Sequence, residues 1–326
     1  MVIEMNSRKT IQGIHHITAI AGSAGENVAF YENVLGLRLV KQTVNFDDPF
    51  TYHLYFGDQQ GNPGTILTFF PWQAMSPGRN GAGMVTATAF EIPVGSATYW
   101  QERLLHHSIA TRSEQRFGEE VIRFSDPHGL PLELIAAGQP AAVANTSGNP
   151  APDYSIKGFH SATATLTSLK GTSALLMNSL GMELHVQDGR RYRFSMKNDT
   201  SRGLFYDLVI DPKAAKGRQG SGTVHHIAFR TRDDEEQLLW QRSLLEDGYP
   251  VTEVRNRKYF KSIYFHEPGG VLFELATDPP GFAVDEPPEH LGRALQLPDD
   301  YEHMRSEIEN NLPPLREDAA SPLTAS

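Results

Sequence analysis

The chain repeats itself four times, and that repetition restricts its fold more than any other feature of its 326 residues. Residues 11–70 run "GIHHITAI", then an amphipathic "AGENVAFYENVLG", then "LRLVKQTV", "YHLYFG" and "GTILTFF". Residues 223–276 keep the same order, from "TVHHIAFRT" through "DDEEQLLWQRSLLEDG" to "KSIYFHEPGGVLFELA". Two further copies lie between them. Residues 83–136 pass from "GMVTATAFEI" through "SATYWQERLLHHS" to "RFSDPHGLPLELIA", and residues 157–210 from "KGFHSATATLT" through "TSALLMNSLGMEL" to "SRGLFYDLVI". The middle segments carry apolar residues at a 3.6-residue period, and the flanking ones alternate or run apolar, so each copy predicts β-α-β-β-β. A period of about 70 residues held four times outweighs any single propensity. The expected class is α+β.

Between the second and third copies, "QPAAVANTSGNPAPDYSI" at 139–156 has no apolar period and reads as a linker. It divides the chain into two expected domains, 11–138 and 157–280, each of two repeats. Residues 281–326 form an acidic, proline-rich extension. One helix is expected there in "DDYEHMRSEIENNL", with Asp299 or Asp300 as its N-cap and Pro313 stopping it.

Composition narrows the chemistry. There is no cysteine, so thiolate zinc sites, iron–sulfur clusters and a cysteine nucleophile are all excluded. Any metal must be held by histidine and carboxylate. The 39 acidic residues exceed the 29 basic ones, and the formal charge of −10 is spread along the chain, which argues against a nucleic-acid partner. The start, "MVIEMNSRKT", has no apolar signal-peptide core, and no run reaches the ~18 apolar residues of a membrane span. A cytoplasmic protein without a membrane partner is expected, and the sequence leaves self-association open. No P-loop, no GxGxxG opening a helix and no GxSxG is present, so a nucleotide cofactor and serine hydrolysis have no support.

The βαβββ repeat, the phrase "FYENVLGLRLV" and the turns "FSDPHGLPLEL" and "FHEPGGVLFEL" resemble the vicinal oxygen chelate superfamily over residues 11–280. Within it, the doubled histidines, the tail and "RNRKYFKSIYFHEPGGVLFELATDPPGF" resemble the hydroquinone-type ring-cleaving dioxygenases. The resemblance implies paired repeats closing half-barrel cups, with metal ligands drawn from first and last strands.

Equivalent positions within this chain then indicate which copies carry a metal. On the first strands His16 aligns with His226, while the second and third copies have Ala87 and Ser161. On the last strands, four residues after a glycine, stand Thr68, Glu133, Asp207 and Glu274. A lone strand histidine is more often structural than a ligand, but here it recurs, and the fourth copy adds a carboxylate. Copy one is therefore expected to face copy four and to supply His16, His226 and Glu274, leaving the middle copies to form a structural cup. Two histidines and one carboxylate on an octahedral ion leave three positions free, which suits a non-haem Fe(II) oxygenase, and Mn(II) fits the same ligands.

Strand alternation predicts that His226 and His16 face the cup and that His225 and His15 face away, and it turns Tyr264 inward with Glu274. The dioxygenase resemblance nevertheless implies roles near the metal for His225 or His15, as proton acceptor, and for Tyr264 and Arg257, which would steady developing negative charge. The implied activity is an Fe(II)-dependent extradiol-type cleavage of hydroquinone or a related dihydroxylated aromatic, with O2 as co-substrate. Two alternatives are a glyoxalase-like isomerase or thiol-transferase of the same superfamily and a metal-free binding or resistance protein. The first expects a carboxylate where Thr68 stands. The second expects apolar residues at positions 16, 226 and 274.

Overall fold

The computed structural model describes residues 10–138, 150–196 and 202–316. The linker expected at 139–156 therefore lies mostly outside the described residues, as does the last part of the C-terminal extension. Each repeat is one strand, one helix and three strands. The first holds β1 (Ile14–Ala21), α1 (Ala24–Ala29, continued by a π-helical turn, Phe30–Val34), β2 (Arg38–Asn45), β3 (Asp48–Gly57) and β4 (Ile66–Pro71). The second holds β5 (Met84–Pro93), α2 (Ala97–His106), β6 (Arg112–Arg116), β7 (Glu119–Ser125) and β8 (Pro131–Gly138). In the third are β9 (Gly158–Leu166), α3 (Lys170–Ala174, with a π-helical turn Leu175–Ser179), β10 (Glu183–Asp188), β11 (Arg191–Ser195) and β12 (Phe205–Ile210). The fourth comprises β13 (Thr223–Thr231), α4 (Asp234–Glu246), β14 (Arg255–Asn256), β15 (Lys261–His266) and β16 (Leu272–Thr277).

These strands build two eight-stranded sheets, and each sheet takes one repeat from either half of the chain. One has the order β14-β15-β16-β13-β1-β4-β3-β2, the other β10-β11-β12-β9-β5-β8-β7-β6. At each centre two first strands run antiparallel, β1 against β13 and β5 against β9. Copy one thus shares a sheet with copy four, as the distribution of strand histidines predicts. Among the described residues no helix is long and apolar enough to cross a membrane.

The helices owe their placement to local sequence. Asp233 caps α4 by accepting from Glu236 N at 2.8 Å, and Glu236 reaches back to accept from Arg232 N at 2.6 Å. This reciprocal arrangement satisfies otherwise orphaned N–H groups and places acids in the first turn, where the helix dipole favours them. The buried face of α4 carries Trp240 and Leu244 one turn apart, with Gln237 donating to Lys261 O and Leu275 O across the sheet.

The C-terminal extension wraps the outer edge of the first sheet. Arg38 on β2 donates to the carbonyls of Pro288 and Leu291, and Gln42 to that of Gly292. Gly292 has φ of 75° and passes so close that a Cβ would stand 1.8 Å from Leu39 O, so only glycine fits. Phe282 and Leu291 join Val40, Tyr55, Tyr259 and Phe260 in a buried cluster. Fully buried Lys41 extends its ammonium to Asp285 at 2.6 Å and to Glu286. The helix expected there, α5 (Arg305–Asn311), begins later than Asp299 or Asp300, because Asp299–Met304 forms a 3-10 turn and α5 has no side-chain cap.

Candidate metal centre

The central β1–β13 pair answers why each strand spends two histidines. Its register steps from Ile14↔Phe229 to His16↔Ala228, and again from Thr18↔His226 to Ala19↔Val224. His15 and His225 are the extra residues of two β-bulges, which re-aim side chains and break simple alternation. Strict alternation, which turns His15 and His225 away from the cup, therefore fails for His225, which lines the cavity, and holds for His15, which does not. His15 Nδ1 lies 2.9 Å from His16 Nδ1, and His225 Nδ1 lies 2.8 Å from His226 Nδ1. The same two irregularities recur where β5 meets β9, so the bulges belong to the fold and the histidines are placed on them.

Three ligating atoms then converge. His226 Nε2 is 3.4 Å from His16 Nε2, and Glu274 Oε2 lies 2.8 Å from the former and 3.3 Å from the latter. With bonds of roughly 2.1 Å, neighbouring ligands on an octahedral ion stand about 3 Å apart, so the triangle has the size of one octahedral face. Glu274 Oε1 accepts from Ser262 Oγ at 2.5 Å, whereas Oε2 is wholly buried and has no aligned hydrogen-bond donor despite its short approaches to the imidazoles. An orphaned carboxylate oxygen among imidazole nitrogens is costly unless a cation joins them.

Protonation states agree with this fit. Burial raises the Glu274 carboxyl, but the charge of His16 and His226 outweighs it and holds the group well below the usual carboxylate range. Burial lowers His226 against an opposing pull from Glu274. Burial, then repulsion from the adjacent histidine, takes His15 well below its usual value and His225 to about 3. An ionised carboxylate beside imidazole nitrogens is a donor set that a divalent ion takes up, displacing any proton the imidazoles hold. If His16 and His226 present Nε2 to the ion, their Nδ1–H groups donate to His15 and His225, and each outer histidine fixes the tautomer and orientation of its neighbour.

A cavity of about 320 Å3 opens on this triangle. Tyr264, opposite Glu274 on β15, and Arg257 form one wall; Arg257 Nε donates to the Tyr264 hydroxyl at 3.4 Å. Phe70, Trp72 and His225 line another side, and Phe260 covers His16 with ring centroids 4.9 Å apart. His15 stands behind His16 and Phe260 and is not part of the wall. A wider, more open groove of about 1160 Å3 runs between the first two repeats, past Phe30, His107 and Asp126. It shares no residue with this cavity and has no converging ligand set, so the smaller cavity is the better candidate.

Sequence reasoning missed His53 and Tyr55, which form the opposite wall on β3. Aligning "YHLYF" at 52–56 with "KSIYF" at 261–265 would have found them, because it pairs His53 with Ser262 and Tyr55 with Tyr264. Tyr55 lies opposite Thr68 in the sheet just as Tyr264 lies opposite Glu274.

In the second sheet the equivalent carboxylates are already engaged. Glu133 accepts two bonds from Arg116, at 2.6 and 2.8 Å, and Asp207 accepts from Arg191 and Arg193, both at 2.9 Å. Guanidinium groups stand where a metal would otherwise meet them. Among the described residues, His16, His226 and Glu274 are the one cluster with ligand geometry.

A family model described as the Glyoxalase/Bleomycin resistance protein/Dioxygenase superfamily matches residues 13–134 and 159–275. The chain is 49% identical over 306 residues to "Putative ring-cleaving dioxygenase MhqO" of Bacillus subtilis (strain 168), covering 94% of this chain and 97% of that one. It is 34% identical over 312 residues to "Chlorohydroquinone/hydroquinone 1,2-dioxygenase" of Sphingobium indicum, covering 93% and 97%. A solved structure from Bacillus subtilis, described as a "putative dioxygenase", matches with a TM-score of 0.90 and 49% identity over 95% of this chain and 100% of the other.

Proposed function

Since this chain belongs to the Glyoxalase/Bleomycin resistance protein/Dioxygenase superfamily, we propose that it is an extradiol-type ring-cleaving dioxygenase. In this reading His16, His226 and Glu274 hold Fe(II), or Mn(II), and the substrates are hydroquinone or a related dihydroxylated aromatic and O2. The observation that carries the proposal is Thr68. It occupies the position of Glu274 in the facing repeat, and its hydroxyl bonds His53 at 2.8 Å and Thr18 at 3.0 Å. A fourth protein ligand is therefore missing among the described residues, and an octahedral ion here would keep three positions for small molecules. The names of the relatives above support the same reaction class.

The bound ion supplies Lewis-acid and one-electron chemistry at a point where the aromatic and O2 can meet. The chain does the rest. Phe70, Trp72 and Phe260 exclude water and offer flat apolar surface to a ring. Arg257 donates to the Tyr264 hydroxyl at the cavity wall, where that hydroxyl can turn its hydrogen to a substrate oxygen as negative charge builds. Burial, then repulsion from Glu274, raises the Tyr264 hydroxyl, which keeps it protonated for that task. With an ion on Nε2 of His226, the Nδ1–H of His226 would donate to His225 Nδ1 at 2.8 Å, and the remaining hydrogen of His225 would sit on Nε2 as a hydrogen-bond donor to the cavity.

Two outcomes follow. Tyr264→Phe is expected to retain the metal and slow turnover by roughly 10- to 100-fold, the usual scale for outer contacts of a metal site. Unchanged steady-state rates would return Tyr264 to a packing role. Under anaerobic conditions the enzyme should bind hydroquinone or catechol without converting it, and on admitting air should consume one O2 per ring opened. Thr68→Glu should suppress that oxygen uptake while metal analysis shows the ion retained. Oxygen-independent conversion of a thiohemiacetal at an equal or greater rate would replace this reading with an isomerase.

A further inference from the structure

The two walls of the cavity are built from equivalent strands, yet their tyrosines are wired in opposite senses. On β15, Tyr264 receives a hydrogen from Arg257. On β3, Tyr55 Oη lies 2.8 Å from His53 Nδ1, and His53 Nε2 lies 2.8 Å from Thr68 Oγ1. Thr68 spends its own hydrogen on Thr18 Oγ1 at 3.0 Å, so toward His53 it accepts. That fixes the hydrogen of His53 on Nε2 and leaves Nδ1 as an acceptor for the Tyr55 hydroxyl. The hydrogen of Tyr55 therefore points at His53, and its oxygen lone pairs are left for another donor. His53 lines the cavity, held between the rings of Tyr55 and Phe70 with centroids 4.1 and 4.3 Å away.

We propose that Tyr55 and His53 together are the proton acceptor for a substrate hydroxyl, the counterpart of the charge-stabilising Tyr264–Arg257 wall. The aromatic O–H bond breaks as its proton passes to Tyr55 Oη, while the original Tyr55 proton passes to His53 Nδ1. The phenol becomes a phenolate, His53 becomes an imidazolium that keeps its bond to Thr68, and no electrons change owner. Arg257 and Tyr264 face the new negative charge from the other wall. This assigns a role that His15 and His225 cannot fill while each accepts from its own ligand neighbour. Burial, with smaller effects from His16, His226 and Arg257, takes His53 well below its usual value, so it rests neutral, and the bond from Tyr55 to its Nδ1 gives the proton its path. The inference rests on the aromatic-diol reading of the site.

The test uses the Fe(II)-loaded protein and 4-nitrocatechol, whose absorption moves to longer wavelength on ionisation. Without oxygen, at a pH where the free dye is neutral, wild-type protein is expected to bind it in ionised form. His53→Gln and, should that variant misfold, Tyr55→Phe are expected to keep their iron and bind the dye un-ionised. With O2 and the preferred substrate, kcat should fall by about 100-fold or more, as for loss of a general base, with KM changing far less. An ionised dye in both variants, or a neutral one on the wild type, overturns the relay. Absence of O2 uptake by the wild type with every dihydroxylated aromatic overturns the ring-cleavage reading instead, and the dye spectrum still decides the relay.

Discussion

Changing His16, His226 or Glu274 singly to alanine is expected to strip the protein of stoichiometric metal and to abolish oxygen uptake. Each contributes one corner of a triangle whose edges are 2.8, 3.3 and 3.4 Å, and all three side chains are buried. Two remaining corners cannot hold an ion with the affinity of three, so the loss should exceed the 10- to 100-fold that outer contacts control. Glu274→Gln sharpens the test, because it keeps volume and the Ser262 contact while removing the charge that balances the ion. Glu133→Gln and Asp207→Asn are the controls, since guanidinium groups already occupy those carboxylates. Elemental analysis of the purified variants reads the result. Full metal content in His16→Ala would dissolve the pairing of the first and fourth repeats as the binding unit.

Lys41→Met is expected to destabilise the fold by about 3–5 kcal/mol, the cost of removing one partner from a buried ion pair. Its ammonium is fully buried, lies 2.6 Å from Asp285, contacts Glu286, and sits 5.0 Å from the centre of the Tyr259 ring. Without it two adjacent carboxylates, 14% and 6% exposed, face each other in a low-dielectric seam. Asp285 keeps Tyr259 Oη at 3.0 Å and Lys258 at 3.4 Å, but among the described residues Glu286 retains no comparable cation. Thermal melting should show a drop of roughly 4–7 °C. Adding Asp285→Asn and Glu286→Gln should recover most of it, because the unpaired charges vanish with their partner. A loss below about 1 kcal/mol would mean that the pair is hydrated and that the extension is held by its backbone contacts alone.

Much of this was legible in the chain because repetition allows one copy to be read against another. Histidines at 16 and 226 but not at 87 and 161 predict which repeats share a sheet, and the sheet order agrees. Alternation places Tyr264 correctly because β15 is regular beside β16. It fails for His225, which lines the cavity, because a bulge adds a residue without any local sequence mark, and its cause is the meeting of β1 with β13 from the far end of the chain. His53 was overlooked for a different reason. Its strand was compared by its last-strand neighbour Thr68 alone, although the alignment that exposes it needs no structure. The extension's grip through Lys41 has no signature at all, since a lysine in "LRLVKQTV" is indistinguishable from a solvated one until Asp285 and Glu286 are placed beside it.

The pairing of β1 with β13 also sets a timetable for synthesis. All strands of the second sheet lie in one continuous stretch, from Met84 to Ile210, and can assemble as soon as that stretch has left the ribosome. The first sheet cannot, because His16 must wait for His226, 210 residues later. Until then β1 is an unpaired edge reading "IHHITAIA", apolar enough to recruit another nascent chain. Long-range closure of this kind is slow. The candidate metal triangle thus waits until Glu274 has been made, with only the extension that wraps β2 still to follow, and an ion captured there would lock the first repeat to the fourth.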